Sequence, residues 1–292
     1  MLWASADSRD YVTPFGISGL SDVPRDILLP PGLPEELDGL FLPQDQGWFG
    51  ARKFPPRVLI LAGKAVWVIA RGGPQTRIPL RAVEVVECGR ILLSGWIGFE
   101  WNQTSLTLPY NRRGTSSVER FLQTLKDSWL EEVPAFHHVP PRNCGREPDL
   151  KFGYAKSDEA LEDERTLLQF FQPLAPVMER RFLWKRQTWS AGDLLVVSDR
   201  RVLWITERHR ASFAPYGTIS RSTPLAAVRE IDAGLFGDKP HLEIQLRSGK
   251  SWRVPLHKDM DRAAGEFAKE AAQLLRAAGM SSGVPCALQG VR

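Results

Sequence analysis

Eight basic side chains lie close together in the sequence, and attraction of an anionic group is the chemistry that these residue types support most directly. They fall within residues 180–210 of the 292-residue chain. Each Lys or Arg near an anionic lipid surface contributes about 1 kcal/mol of attraction. The candidates for anion or lipid binding are Arg180, Arg181, Lys185, Arg186, Arg200, Arg201, Arg208 and Arg210.

The net charge of +4 conceals two acidic and two basic blocks. Residues 1–50 hold 2 Lys/Arg against 8 Asp/Glu, and residues 51–130 hold 12 against 5. The pattern recurs, because residues 131–179 hold 5 against 10 and residues 180–292 hold 19 against 11. Two interpretations stay open: ordinary solvated surface charge, or basic blocks that face an anionic surface while the acidic segments compete for it.

Patterns typical of catalysis or metal binding are weak. His137, His138 and Cys144 form the only His/Cys cluster, whereas a structural zinc site needs about four ligands. Gly249-Lys250-Ser251 resembles the end of a phosphate-binding loop, but Ile244 stands where that loop requires glycine. We predict a non-enzymatic protein with no catalytic residues, no metal and no cofactor, and leave open a site that forms only in three dimensions.

The cysteines and apolar runs predict a cytoplasmic protein. The three cysteines are far apart in the sequence and form no C-x-x-C pair, which is typical of a reducing compartment. The first ten residues lack the basic and apolar regions of a signal peptide. The strongest apolar run, Val58–Ala70, has 13 residues including Lys64 and is too short to span a bilayer. Peripheral contact with the inner face of the membrane remains compatible with these features.

An internal repeat is the strongest pattern in the chain. Ile78–Gly89 matches Thr223–Gly234, with Pro, Leu, Ala, Val and Gly in register. Upstream, two apolar runs joined by a tight turn occur in both copies, and downstream a short strand pattern precedes a helical one. Four corresponding segments in the same order predict a duplicated domain; the flanking pairs are Arg57–Arg71 with Leu194–Arg208 and Ser105–Tyr110 with Ser251–Leu256.

Each copy reads as several strands followed by one amphipathic helix. His241–Leu256 alternates apolar and polar residues around Ser248-Gly249, which predicts a hairpin. Two stripes at steps of three and four residues predict helices that close a sheet. The stripes are Val118, Phe121, Leu122, Leu125 and Trp129 in the first copy, and Ala264, Phe267, Ala271, Leu274, Leu275 and Ala278 in the second.

This arrangement resembles the pleckstrin-homology (PH) superfold, in particular the bacterial PH-like and GRAM-like domains. Val197–Thr206 looks like the second and third strands of such domains, with a Ser-Asp-Arg-Arg turn before an apolar strand. In the first copy Gly63-Lys64 replaces Asp199-Arg200, so that turn departs from the pattern. The expected fold class is mainly β (α+β), with two PH-like, partly open β-barrels, each closed by a C-terminal amphipathic helix.

The predicted domain organisation follows from the repeat and from the Pro-rich segments between the copies. It comprises an extended Pro/Gly-rich leader (1–47), a first PH-like domain (48–132), a Pro-rich linker (133–156), a linking helix (157–179), a second PH-like domain (180–279) and a flexible tail (280–292).

The resemblance implies a binding function rather than a reaction. In phosphoinositide-binding PH domains the basic pocket is built on the first two strands and the loop between them, and here we expect a short, uncharged loop at Ser190-Ala191-Gly192. This favours a protein-interaction adaptor or scaffold that binds a peptide or protein partner. The alternative is a peripheral membrane protein that binds anionic lipid through the second domain, and a third hypothesis is single-stranded nucleic-acid binding. The oligomeric state stays open.

Overall fold

The structure is a computed structural model that describes residues 13–43, 54–91, 94–112, 115–131, 133, 141–181, 184–209, 212–213, 217–237 and 239–277. The fold is mainly β, with twenty strands and three α-helices in the described residues. The first half contains β1 (Phe15–Gly19), β2 (Glu36–Leu42), β3 (Arg57–Ala62), β4 (Ala65–Ala70), β5 (Gln75–Pro79), β6 (Val83–Ile91), β7 (Ser94–Trp101), β8 (Thr104–Asn111) and α1 (Thr115–Leu130).

The second half begins with a short strand and a helix before its sheets. Its elements are β9 (Arg142–Gly145), α2 (Leu150–Glu159), β10 (Thr166–Gln172), β11 (Ala175–Arg181), β12 (Trp184–Ser190), β13 (Asp193–Ser198), β14 (Arg201–Thr206), β15 (Arg208–His209), β16 (Ser212–Phe213), β17 (Gly217–Pro224), β18 (Val228–Phe236), β19 (Lys239–Leu246), β20 (Ser251–Pro255) and α3 (Asp261–Ala277).

One sheet crosses the boundary between the halves. Its eight strands run in the order β8-β7-β6-β17-β14-β13-β10-β9, so strands of both halves lie in one hydrogen-bonded sheet. The first half also has a five-stranded antiparallel sheet, β1 to β5, and the second has a three-stranded sheet, β18 to β20. Within the described residues the strand order of each sheet has two ends, so none of these sheets closes into a barrel.

The two segments of the sequence repeat adopt the same local structure. A 3₁₀ turn follows β5 at Leu80–Ala82, and another follows β17 at Leu225–Ala227. The Leu80 N–H donates to the Lys64 carbonyl at 2.9 Å, and the Leu225 N–H donates to the Arg200 carbonyl at 2.8 Å. The next strand is irregular at its start in both copies, because the register shifts at the first residues of β6 and of β18.

The predicted helices and the C-terminal hairpin are present at the expected positions. The predicted stripe of α1, from Val118 to Trp129, is buried in the core of the first half. Helix α3 buries Ala264, Phe267 and Ala271 against the sheets of the second half. Strands β19 and β20 pair around a turn in which Gly249 has a φ of +89°, a left-handed conformation that suits glycine.

The predicted leader (1–47) contains two strands. Strand β2 pairs with β3, and β1 pairs with β2. Residues from Ile17 to Leu37 cover the outer face of this sheet, where they pack on Val58, Ile60 and Ile69. The Pro-rich composition predicted an extended leader, and it concealed strands that gain their hydrogen bonds from a partner distant in sequence.

The predicted linking helix (157–179) is wrong. Helix α2 begins earlier, where the Asp149 side chain caps it by accepting a hydrogen bond from the Phe152 N–H at 3.0 Å, and it ends at Glu159. Residues 166–172 form β10, whose Leu168 and Phe170 face one core while Phe171 faces another. A strand covered on both faces has no alternation, and such a run looks like a buried helix in the sequence. The predicted Pro-rich linker (133–156) likewise holds β9 and most of α2.

Gly217 lies at a close contact between the backbones of the two halves in the shared sheet. A Cβ atom there would lie 2.2 Å from the Arg90 carbonyl oxygen, whereas a Cβ atom at Gly265 in α3 meets nothing within 4 Å. We expect Gly217→Ala to lower the free energy of unfolding by about 1–3 kcal/mol, because the backbone of β6 must move away. The same change at Gly265 is expected to raise it by about 0.5–1 kcal/mol through helix propensity. Urea unfolding of both variants measures the two signs, and equal effects would contradict the close contact.

Candidate interaction surfaces

The two halves meet where β17 lies antiparallel beside β6. The register runs from Ser222 opposite Val86 to Gly217 opposite Ile91. Arg221 lies opposite Glu87, and its Nε donates to Glu87 Oε2 at 2.6 Å. The junction therefore combines a backbone ladder with one charged side-chain pair.

A buried charged cluster lies beside this junction, and Glu159 is its centre. Glu159 is 1% exposed at the end of α2 and forms an ion pair with Lys126 of α1. Its Oε1 lies 3.4 Å from a terminal nitrogen of Arg90 in β6 and accepts a hydrogen bond from Ser220 Oγ of β17 at 2.8 Å. One carboxylate thus joins elements of both halves. We call Glu159, Lys126, Arg90 and Ser220 the junction cluster.

Opposing effects act on the ionisation of this cluster. Burial alone raises the pKa of Glu159, but the positive charges of Lys126 and Arg90 outweigh it and lower that pKa from 4.5 to about 2. Burial alone lowers the pKa of Arg90, but Cys88 and Glu159 outweigh it and raise that pKa. Glu159 and Arg90 are therefore charged at neutral pH, and this charged contact lies between the halves.

Four of the predicted basic residues lie together at the tip of a hairpin. Strands β11 and β12 form a separate two-stranded sheet in which Arg180 is the register partner of Lys185, and Glu179 is the partner of Arg186. Arg181 lies opposite Trp184 at the end of the ladder. The hairpin lies between β10 and β13, so the connection between these two strands of the eight-stranded sheet is long and basic, and the short, uncharged segment expected at residues 190–192 joins β12 to β13.

Arg201 does not belong to an exposed basic face. It is 1% exposed, and its guanidinium donates to both carboxylate oxygens of Glu164 at 2.7 Å. A third nitrogen donates to Ser222 Oγ at 3.1 Å. The Ser-Asp-Arg-Arg turn therefore directs its second arginine inward, where it fastens the segment after α2 to the sheet.

The other predicted basic residues are dispersed. Arg200 lies in the turn between β13 and β14, and its carbonyl accepts a hydrogen bond from the Leu225 N–H. Arg208 belongs to the two-residue strand β15, and Arg210 lies outside the described residues. Of the eight predicted residues, the structure brings together the four of the hairpin.

Strand β18 is an edge strand with an exposed outer side. Among the described residues it pairs only with β19. Leu235 and Phe236 near its end are 71% and 62% exposed, and Glu230 and Asp232 are exposed as well. An exposed edge with apolar and charged residues offers backbone groups to another strand.

The described residues place no metal-ligating cluster together, and the chain matches no known family. Within the described ranges no group of three or more His, Cys, Asp or Glu side chains is placed to hold a metal ion, and no helix is long and apolar enough to cross a membrane. His137 and His138, predicted as part of a weak cluster with Cys144, lie outside those ranges. No model of a known protein family matches the chain, and no curated protein sequence gives a significant match.

Sequence reasoning missed the junction cluster, although one signal was present. Lys126 lies four residues after Leu122 and three before Trp129, which places it within the apolar stripe of α1. A lysine in a buried stripe requires a buried partner. Glu159 has no comparable signal, because its burial depends on elements distant in sequence.

The junction cluster predicts a large effect of a single charge. We expect Glu159→Gln to lower the free energy of unfolding by about 3–5 kcal/mol at neutral pH, because Lys126 and Arg90 stay buried without their counter-charge. The control is Asp158→Asn, since Asp158 contacts the same arginine at 3.3 Å with its side chain 57% exposed and is worth less than about 1 kcal/mol. Urea unfolding measures both, and similar values for the two variants would contradict the assignment.

The same carboxylate predicts a pH dependence. The pKa of Glu159 in the folded state is about 2, below its ordinary 4.5, so its contribution is complete above about pH 4.5 and is lost as the pH falls towards 2. We expect the stability difference between the wild type and Glu159→Gln to shrink across this range. A difference that stays constant from neutral pH to pH 3 would show that Glu159 is not the titrating group.

Proposed function

We propose that this protein is a non-enzymatic adaptor, built from two PH-like units, that binds an extended segment of a partner protein at a sheet edge. The observation that carries the proposal is the junction itself. A strand of the second half is added to the edge of β6, with its backbone ladder and with Arg221 on Glu87. One strand edge of this architecture thus already pairs with an added strand, and pairing of this kind is the physical basis of peptide binding by strand addition.

The order of elements supports the PH-like units. In the first half four antiparallel strands, β2 to β5, precede a 3₁₀ turn, three strands and α1. In the second half β10, β13, β14 and β17 precede the equivalent turn, three strands and α3. The shared sheet and the buried cluster make the pair a single body rather than two modules on a flexible linker, so bound partners would be held at a set distance.

Selection of peptides on the purified full-length protein tests the adaptor function. We expect a random-peptide phage library to yield related extended sequences that bind more than about tenfold more tightly than their scrambled versions, because strand addition combines backbone pairing with side-chain specificity. Fluorescence anisotropy at low and physiological salt measures the affinities. Peptides that bind no better than their scrambled versions, or only at low salt, would contradict the proposal and indicate charge attraction alone.

A second function, contact with an anionic membrane surface, is favoured by the hairpin of β11 and β12. The hairpin places Arg180, Arg181, Lys185 and Arg186 at one tip, beside Trp184. Basic residues attract anionic headgroups, and tryptophan partitions into the membrane interface. The hairpin also pairs with no other sheet among the described residues, so its backbone ladder does not tie it to the cores.

Liposome co-sedimentation separates specific membrane contact from general basic charge. We expect the protein to sediment with vesicles containing about 30 mol% phosphatidylserine and not with phosphatidylcholine alone, and the change of the four hairpin residues to Ala to weaken binding more than about tenfold. The matched control loses four charges elsewhere, from the exposed residues Arg142, Arg146, Arg253 and Arg262. Equal losses in the two variants would refute a hairpin site, and sedimentation that is absent at low salt would refute membrane contact.

A further inference from the structure

Strand β18 is the counterpart of β6 in the repeat, and the two differ in what covers their outer edges. The repeat aligns Glu87, Cys88 and Gly89 of β6 with Asp232, Ala233 and Gly234 of β18. Both strands follow a 3₁₀ turn, and both shift register at their first residues. The outer edge of β6 carries β17, whereas β18 has no strand at this edge among the described residues.

Asp232 of β18 is the acidic counterpart of Glu87, the residue of β6 that pairs with Arg221 of the added strand β17. On β6, Glu87 accepts from Arg221 Nε at 2.6 Å across the ladder. On β18, Asp232 is exposed, and its Oδ1 accepts from the N–H of its own neighbour Ala233 at 2.8 Å. That N–H is therefore directed away from β19, towards the open edge. The Asp232 carboxylate thus accepts a hydrogen bond from the Ala233 N–H, which an incoming strand would otherwise bind through a backbone carbonyl.

We propose that the outer edge of β18 binds an extended basic segment of a partner protein as an antiparallel strand, with an Arg or Lys opposite Asp232. The inference rests on the adaptor function proposed above and adds the edge and the chemistry of the partner. Glu230 and Asp232 select a basic segment, and the exposed Leu235 and Phe236 provide apolar contact near the other end of the strand.

A second copy of this chain fits the edge poorly. If β18 paired antiparallel with β18 of another copy in the register that sets Glu230 opposite Asp232, like charges would face each other across the ladder, which is unfavourable. The strand that corresponds to β17 in the first half is β5, and the repeat aligns Pro74, the residue directly before β5, with Ile219 of β17. A proline at the start of an edge strand is a common device against edge pairing.

A synthetic peptide with the sequence of residues 216–224, labelled with fluorescein and capped at both ends, is the probe. It contains strand β17, which pairs with β6 in the protein, and it includes the sequence position of Arg221. We expect the full-length protein to bind it, and Asp232→Arg to weaken binding about three- to tenfold, because an attraction becomes a repulsion. Asp259→Arg, at another exposed acidic residue, is the control and should leave the affinity unchanged.

Two further experiments distinguish binding at the edge of β18 from binding elsewhere on the protein. One exchanges the two paired charges, and the other blocks the edge with a proline. A peptide with Glu in place of the arginine should bind the wild type weakly and bind Asp232→Arg about as well as the original pair. Ala233→Pro should abolish binding, since it removes an N–H that the ladder with β19 does not use. The thermal unfolding midpoint of Ala233→Pro checks that this variant is folded, and Asp232→Arg keeps the test independent of it.

Three outcomes would overturn the inference. The first is equal binding of the peptide to the wild type, Asp232→Arg and Ala233→Pro, and the second is no binding up to about millimolar protein, the weak limit of specific recognition. The third is a dimer of the wild type in light scattering that Ala233→Pro dissociates, which would make a second copy the occupant. Phage-selected peptides that bind without regard to β18 would leave the adaptor function standing, whereas failure of that selection would refute the function itself.

Discussion

The pairing of β17 with β6 is the contact on which the arrangement of both halves depends. Strand β17 is paired on both edges, with β14 of its own half and with β6 of the other. The junction cluster adds a buried carboxylate that contacts α1, β6 and β17 at once. A hydrogen-bonded ladder specifies register, and a buried charge tolerates only the arrangement that pairs it, so the two together define one relative position. Net stability from such a charged cluster is modest, because desolvation offsets the attraction, but its loss from one side is costly.

Elements with one buried and one solvated face could be predicted from the sequence, whereas the segments that cover the outer sheet faces could not. Helices α1 and α3 and the β19–β20 hairpin have one buried and one solvated face, so their periodicity is clear. Strands β13 and β14 are buried on both faces. Leu195 and Trp204 pack towards α3, while Leu194 and Ile205 pack towards α2. In the first half, the segment around β1 covers the corresponding face. Both covering segments were interpreted as leader or linker, since nothing local in their sequence shows that a sheet lies beneath them.

The predicted basic cluster separates for a similar reason. Charge and proximity in sequence are shared by Arg180, Arg200 and Arg201, but strand geometry sends neighbouring residues in different directions. Arg201 is the first residue of β14 and turns inward to Glu164, and its carboxylate partner lies 37 positions away in the sequence. A sequence pattern identifies the residue types that can bind an anion. Whether such a residue is available to a ligand or is already paired inside the protein depends on contacts with residues distant in sequence. Those contacts are visible only in the assembled sheet.

The outer edges of β6 and β18 differ in what covers them, although the two strands correspond in the repeat. Both strands follow a 3₁₀ turn and shift register at their first residues, yet the outer edge of β6 pairs with β17, whereas that of β18 pairs with no strand in the part of the chain that the structure describes. An open strand edge is a hazard for aggregation, and chains normally blunt it with proline, charge or a cover. In the first half, Pro74 stands directly before the edge strand β5. In β18 the edge instead retains an N–H held by Asp232, beside two exposed apolar residues, Leu235 and Phe236. Under the proposal that β18 binds a basic segment, the same acidic residues would both discourage self-association and favour that partner.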